Sequence, residues 1–130
     1  MPEVVVLDAS ALVDVLMATE VAGAVVRRIE GLVRHAPAHL DAEVFSALGR
    51  PARAGELSAA DVTSRLELRA RMPLARNPVA PLLLGAWERR GDLRLVDALH
   101  VELAEQLDAQ LNTTDPRLAR ATPLTGVVTP

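Results

Sequence analysis

Four aliphatic residues in a row, Val4-Val5-Val6-Leu7, run straight into an aspartate, and a helix-like pattern follows within two residues. Three of the four are β-branched, which suits a short buried strand better than a turn of helix. A buried strand has no room for a charge, so Asp8 marks where the strand emerges at the edge of a sheet. In open parallel sheets the carboxyl ends of the strands line the crevice where ligands bind. What the rest of the chain brings to that edge then decides what such a fold can do.

Downstream, helix-period and strand-like segments alternate. The pattern predicts a helix over Ser10 to Met17 with Ser10 as its cap. A second spans Val21 to Val33, where Ala22, Val25, Ile29, Leu32 and Val33 recur at spacings of three and four. Arg34 to His39, with Pro37 inside it, is a brief edge strand or turn. A third helix is expected from Leu40 to Leu48, stopped by Gly49 and Pro51.

Ser58-Ala59-Ala60-Asp61 has the form of a capping box and opens a helix to Arg71. A short strand at Leu74-Ala75, a fifth helix from Leu82 to Arg90 and a sixth from Leu95 to Leu107 follow. In the sixth, Leu95, Leu99, Leu103 and Leu107 form the apolar stripe, and Glu102, Glu105 and Gln106 face water. Gln110 to Thr113 is a strand, Asp115-Pro116 starts a helical turn, and Gly126-Val127-Val128 is a last strand. The alternation predicts a single α/β domain over 1–130, a three-layer α/β/α sandwich with a central parallel sheet of four or five short strands.

Composition removes several functions. The only aromatic residues are Phe45 and Trp87, too few for a base-stacking surface. A net charge of −3 gives no global attraction to nucleic acid, so any such role must rest on local geometry. Without cysteine there are no disulfides, thiolate metal sites or cysteine nucleophiles. All 14 basic residues are arginine, which excludes a lysine-bearing phosphate loop and Schiff-base chemistry. The longest uncharged stretch, Asn77 to Trp87, has 11 residues where a bilayer span takes about 20. With no signal-peptide pattern at the start, the expected location is cytoplasmic.

Four of the 17 acidic residues stand out by context. Asp8 ends the apolar strand, and capping the next helix is its alternative role. Glu43 lies among apolar neighbours in Ala42-Glu43-Val44-Phe45, where a solvent-facing position is equally open; nearby Asp41 is the better cap. Asp97 falls in the first turn of the sixth helix, where an acid also complements the helix dipole. Asp115 precedes Pro116, the ordinary grammar of a helix cap. Asp8 and Asp115 each follow a strand, Asp97 opens the helix leading into the second, and Glu43 can reach in from its own. Four carboxylates in one cleft repel each other, and a hard divalent cation with oxygen ligands, Mg²⁺ or Mn²⁺, resolves that repulsion. Such a site suits metal-assisted phosphodiester hydrolysis.

Four segments carry a resemblance: Val5-Val6-Leu7-Asp8-Ala9-Ser10-Ala11-Leu12-Val13, Ala42-Glu43-Val44-Phe45-Ser46-Ala47-Leu48, Asp97-Ala98-Leu99-His100-Val101-Glu102-Leu103-Ala104 and Thr113-Thr114-Asp115-Pro116-Arg117-Leu118-Ala119. In this order and spacing the chain resembles the PIN-domain ribonucleases, in particular the VapC toxins of toxin–antitoxin pairs. The resemblance implies a PIN-like fold and places the catalytic and metal-binding roles on Asp8, Glu43, Asp97 and Asp115. Ser10 and Thr114 match small hydroxyl positions beside the acids.

It further implies a Mg²⁺- or Mn²⁺-dependent endoribonuclease that hydrolyses RNA with a metal-activated water, a homodimer, and a cognate VapB-type antitoxin. His100 stands where the family commonly has tyrosine and is expected to be a packing residue; His35 and His39 are expected to be structural. The alternative from another class is a non-catalytic PIN-like protein-interaction domain. A haloacid-dehalogenase-type phosphatase also begins with a strand ending in Asp, but it needs an acid where Ser10 stands, and a lysine.

Overall fold

The computed structural model describes residues 3–121 and 125–127. The elements run β1 (Val4–Leu7), α1 (Ala9–Met17), α2 (Ala22–Ile29), β2 (Val33–Pro37), α3 (Leu40–Arg53), α4 (Ala59–Arg71) and β3 (Ala75–Asn77). A 3₁₀ turn (Ala80–Leu82) leads into α5 (Leu83–Glu88), α6 (Leu95–Gln106), β4 (Gln110–Thr113), α7 (Pro116–Ala121) and β5 (Thr125–Val127). The strands form one parallel sheet in the order β3-β2-β1-β4-β5. β1 is therefore central, as its unbroken apolar run requires.

Successive side chains of β1 go to opposite faces. Val6 packs with Leu111 of β4, Val101 and Leu103 of α6, Leu82 and Leu118. Val5 and Leu7 pack with Ile29 of α2 on the other face. A further apolar cluster joins Leu12 and Leu16 of α1, Ala36 of β2, and Leu40, Val44 and Leu48 of α3. Each such aliphatic side chain contributes roughly 1.5–3 kcal/mol when fully buried.

The chain leaves β1 for β2 and β3 on one side and later returns to β4 on the other. The strand order thus reverses between β1 and β4, the kind of place where open α/β sheets bind ligands at their carboxyl edge. Asp8 and Asp115 both follow these two strands.

Several expectations are corrected. The second helix stops at Ile29, because Gly31 takes a left-handed backbone (φ 77°) and Val33 begins β2. The third runs on to Arg53 with Pro51 inside it, and the glycine with positive φ beyond it is Gly55, not Gly49. Ser10 does not cap α1: it lies inside the helix, and Asp8 is the cap, accepting from the Ala11 N–H at 3.0 Å. Nor does Asp41 cap α3, whose first flanking residue is His39; Asp41 pairs with Arg69 and Arg76 instead.

Leu95 is exposed, and only the rest of its stripe turns to the core. Glu102 is folded against Gly85, pairing with Arg89 and Gln106, so it does not face water; a Cβ at position 85 would meet its carboxylate. The Ser58–Asp61 capping box is present in both directions. β3 is shifted to Ala75–Asn77, and of the last strand Val128 lies outside the described residues.

Candidate active site at the carboxyl edge of β1 and β4

Asp8 is 5 % exposed, and its carboxylate is held by two hydroxyls, one from α1 and one from the end of β4, besides the Ala11 N–H. Ser10 Oγ donates to it at 2.9 and 3.0 Å, and Thr113 Oγ1, from the end of β4, donates at 2.5 Å. Burial pushes the Asp8 carboxyl above the ordinary aspartate value; the bonds from Thr113, Ala11 N–H and Ser10, with the nearby His100, only partly offset it. The network extends outward, since Ser10 Oγ accepts from the Thr114 N–H at 3.1 Å and Thr113 Oγ1 accepts from the Asp115 N–H at 3.0 Å. Asp115 is two hydrogen bonds from Asp8, and it also accepts from the Arg117 N–H at 2.9 Å, the capping role that Pro116 announces.

A cleft of about 920 Å³ opens beside this network, and Ser10, Asp14, Glu43, Arg50, Arg94 and Asp97 are among its lining residues. Asp97 accepts from Arg94 Nε at 2.9 Å. That bond, together with the charges of Asp97, Asp115 and Glu43, raises the Arg94 guanidinium above its ordinary value.

Glu43, from α3, meets α6 beyond the strand ends: His100 Nε2 lies 2.9 Å from Glu43 Oε1, and His39 Nε2 3.0 Å from the same oxygen. Burial pushes the Glu43 carboxyl up, but the contacts with His100 and His39 outweigh it and bring it down to about 2.

All four predicted acids, with Ser10 and Thr114, therefore lie in or immediately behind one cleft. As the side chains stand, they are not yet a chelate. Among the described residues, the group of three whose ligating atoms lie mutually within 4.8 Å is His39, Glu43 and His100, not the carboxylates. Asp97 is turned to Arg94, Glu43 to the imidazoles and Asp115 to its helix. The donor set nonetheless fits a hard divalent cation: oxygen ligands around a buried carboxylate that is costly to ionise alone.

Sequence reasoning passed over five contributors. The sequence predicts a packing role for His100 and a structural one for His39, yet His100 is three residues after Asp97 and His39 four before Glu43, spacings that share a helix face. Thr113 was visible as a hydroxyl at the end of a strand, two residues before Asp115. Asp14 lines the cleft and accepts from Thr114 Oγ1 at 2.5 Å. Arg94 stands three residues before Asp97.

The PIN domain family matches residues 5–122. The chain belongs to the PIN-domain family. Its VapC group is shown by Ribonuclease VapC3 of Mycobacterium tuberculosis, 54 % identical over 123 residues that span 94 % of this chain and 90 % of that protein. The PIN fold recurs in the crystal structure of PAE2754 from Pyrobaculum aerophilum, with a TM-score of 0.70 at 24 % identity over 95 % of this chain and 82 % of that one. A toxin–antitoxin complex from Klebsiella pneumoniae aligns with a TM-score of 0.69 at 13 % identity, covering 95 % and 96 % of the two chains. In this PIN domain Asp8 and Asp115 follow neighbouring strands, and Glu43 and Asp97 line the adjoining cleft.

Proposed function

We propose that this PIN domain is a Mg²⁺- or Mn²⁺-dependent endoribonuclease, the toxin of a VapBC-type pair, with the whole of 1–130 as its single domain. One observation carries the reading: Glu43 and Asp97 line a single cleft, and Ser10 of the same lining holds the buried carboxylate of Asp8 directly behind it. The similarity to a ribonuclease over nearly the whole chain supports the substrate class.

Asp8, Glu43, Asp97 and Asp115 would hold the cation. When bound, it supplies a Lewis acid that lowers the pKa of an attacking water and offsets charge on the phosphate. The chain does the positioning. Ser10 and Thr113 fix both oxygens of Asp8, and the Thr114 backbone fixes Ser10. Arg50 and Arg94 line the cleft and are placed to meet the phosphate backbone of RNA.

Partners follow from a different surface. Leu83, Leu84, Trp87, Leu95 and Val96 are exposed together around an apolar hollow of about 360 Å³. Apolar area of this kind marks a protein interface, and it supports a cognate VapB-type antitoxin and a homodimer. Among the described residues no single helix is long and apolar enough to cross a membrane, which agrees with a cytoplasmic location.

The test is cleavage of structured RNA by antitoxin-free protein with Mg²⁺, with Mn²⁺ and with a chelator, beside Asp8→Asn. Metal-dependent cleavage by the wild type alone is expected. Equal cleavage by both proteins overturns the assignment of the site, and a folded protein that cuts no RNA under any condition favours the non-catalytic alternative.

A further inference from the structure

The two imidazoles that hold Glu43 also bring a different kind of ligand to the edge of the oxygen-ligand cleft. His39 and Glu43 are four residues apart at the start of α3, on one helix face, and His100 comes from α6 across the end of the sheet. One ligating atom from each of the three lies within 4.8 Å of the other two, and both Nε2 atoms approach Glu43 Oε1. His100 is 1 % exposed, and the two rings face each other with centroids 5.0 Å apart and planes tilted by 58°. His39 Nε2 is buried beside Glu43 yet makes no aligned hydrogen bond. The nitrogen's approach to Glu43 at 3.0 Å is electrostatic and poorly aligned, so its lone pair is open to a further partner.

The geometry points to a second metal site here, made of His39, Glu43 and His100, which takes a borderline divalent transition ion of the Zn²⁺ class. Two imidazoles and one carboxylate are a ligand set that zinc uses with its fourth position open. Bond lengths of about 2.0–2.1 Å in a tetrahedron separate neighbouring ligand atoms by about 3.3 Å. The two observed nitrogen–oxygen separations, 2.9 and 3.0 Å, are only a few tenths of an ångström shorter. Imidazole favours zinc over magnesium, whereas the all-oxygen set across the cleft favours the reverse. The two sites therefore select different ions while sharing Glu43.

That sharing has a consequence, which rests on the ribonuclease reading above: an ion on the imidazoles withdraws Glu43 from the acidic cleft. Zn²⁺ then antagonises Mg²⁺-dependent cleavage, and the site works as a metal-sensitive brake.

The experiment uses full-length protein without a histidine tag, stripped with chelator. Co²⁺ is expected to give one equivalent of intense visible absorption of the four- or five-coordinate kind, and Zn²⁺ to displace it. By calorimetry, His39→Gln weakens Zn²⁺ binding at least 10-fold, since loss of an outer-shell partner alone costs about 10–100-fold. Asp97→Asn leaves it unchanged. Long-range nitrogen–proton spectra place the Zn²⁺-induced shifts on the Nε2 atoms of His39 and His100.

His39 is partly exposed, so its substitution tests the site even if a change at His100 prevents folding. Wild type that binds Zn²⁺ no more tightly than His39→Gln, or an Asp97→Asn variant that loses it equally, overturns the proposal. In the RNA assay, Zn²⁺ inhibits the wild type, and His39→Gln resists inhibition relative to its own uninhibited rate. If no variant cleaves RNA, the ribonuclease reading fails while the Co²⁺ and Zn²⁺ titrations still decide the site.

Discussion

The two walls of the cleft treat a carboxylate in opposite ways. On the strand wall, Asp8 is buried among hydroxyls and a backbone N–H, and burial drives its carboxyl upward. On the helix wall, Glu43 is partly exposed between two imidazoles, and its carboxyl is brought down to about 2. Neutral donors hold a carboxylate in place without neutralising it, whereas imidazoles can supply charge as well. The strand wall is thus preorganised and short of positive charge, while the helix wall already has local partners that an incoming cation must displace. Asp97 with Arg94 repeats the second pattern. The difference shows which acid most needs a metal and which acids must change partners to bind one.

The sharpest way to break this contrast is Asp8→Asn. Cleavage is expected to fall by more than about 100-fold, beyond the cost of losing an outer-shell partner. In chelator, the same variant is expected to be more stable than wild type at neutral pH. The sign follows from the raised carboxyl: the folded state holds the proton more tightly than the unfolded chain, so the penalty on folding is absent below the ordinary value of 3.8, grows as pH rises from there and is complete above the folded pKa. Asparagine retains the cap on α1 and removes the charge. A gain of roughly 0.5–2 kcal/mol in urea unfolding is expected, the size common for stabilising substitutions. Adding Mg²⁺ should raise the melting temperature of the wild type and not of the variant. A metal-free Asp8→Asn protein less stable than wild type would refute the idea that the strand wall lacks positive charge.

Thr113→Val probes the same wall from the other side. Its hydroxyl is buried, donates to Asp8 and accepts from the Asp115 N–H. Its loss leaves the buried Asp8 carboxylate and the partly buried Asp115 N–H each short of a bond and should cost about 1–3 kcal/mol. Because the lost bond favours the charged form of Asp8, the cost should shrink as pH is lowered and that carboxyl protonates. A cost independent of pH would mean that the hydroxyl matters only for packing.

The smallest expected effect lies on the helix wall. Glu43 has a folded value of about 2 against an ordinary 4.5, so its contribution is present above pH 4.5 and is lost as pH falls toward 2. Glu43→Gln should therefore be less stable than wild type at pH 6, by no more than about 1 kcal/mol for so exposed a group. The two proteins should converge between pH 4.5 and 2. Parallel stability curves for the two would show that the imidazoles do not hold the carboxylate.

Much of the fold was legible because it depends on local pattern. The apolar run of β1, the alternation of periods and the Ser58–Asp61 box each specify their element through neighbours in sequence. Helix ends were less legible, since Pro51 is tolerated inside α3 and Gly31, not Val33, ends the turn after α2. The acids were legible through their positions after strands and in the first turns of helices. Their partners were not. His100 is an ordinary buried residue of α6 until α3 is packed against it, and Arg94 is an ordinary surface arginine until Asp115 and Glu43 arrive beside it.

What Val4–Asp8 determined unaided was a buried strand with one carboxylate at its exit, since alternating faces and the cost of burying charge leave little choice. Tertiary structure decided the rest of that carboxylate's circumstances. Sequence assigned the cap of α1 to Ser10, but β4 lies alongside β1 and brings Thr113 and Thr114 to the same point. Ser10 is thereby drawn into their network, and the cap falls to Asp8. The reason is physical: hydrogen bonds with a sequence separation of 103 or more residues depend on which strands pair, and no local pattern in the sequence states that pairing.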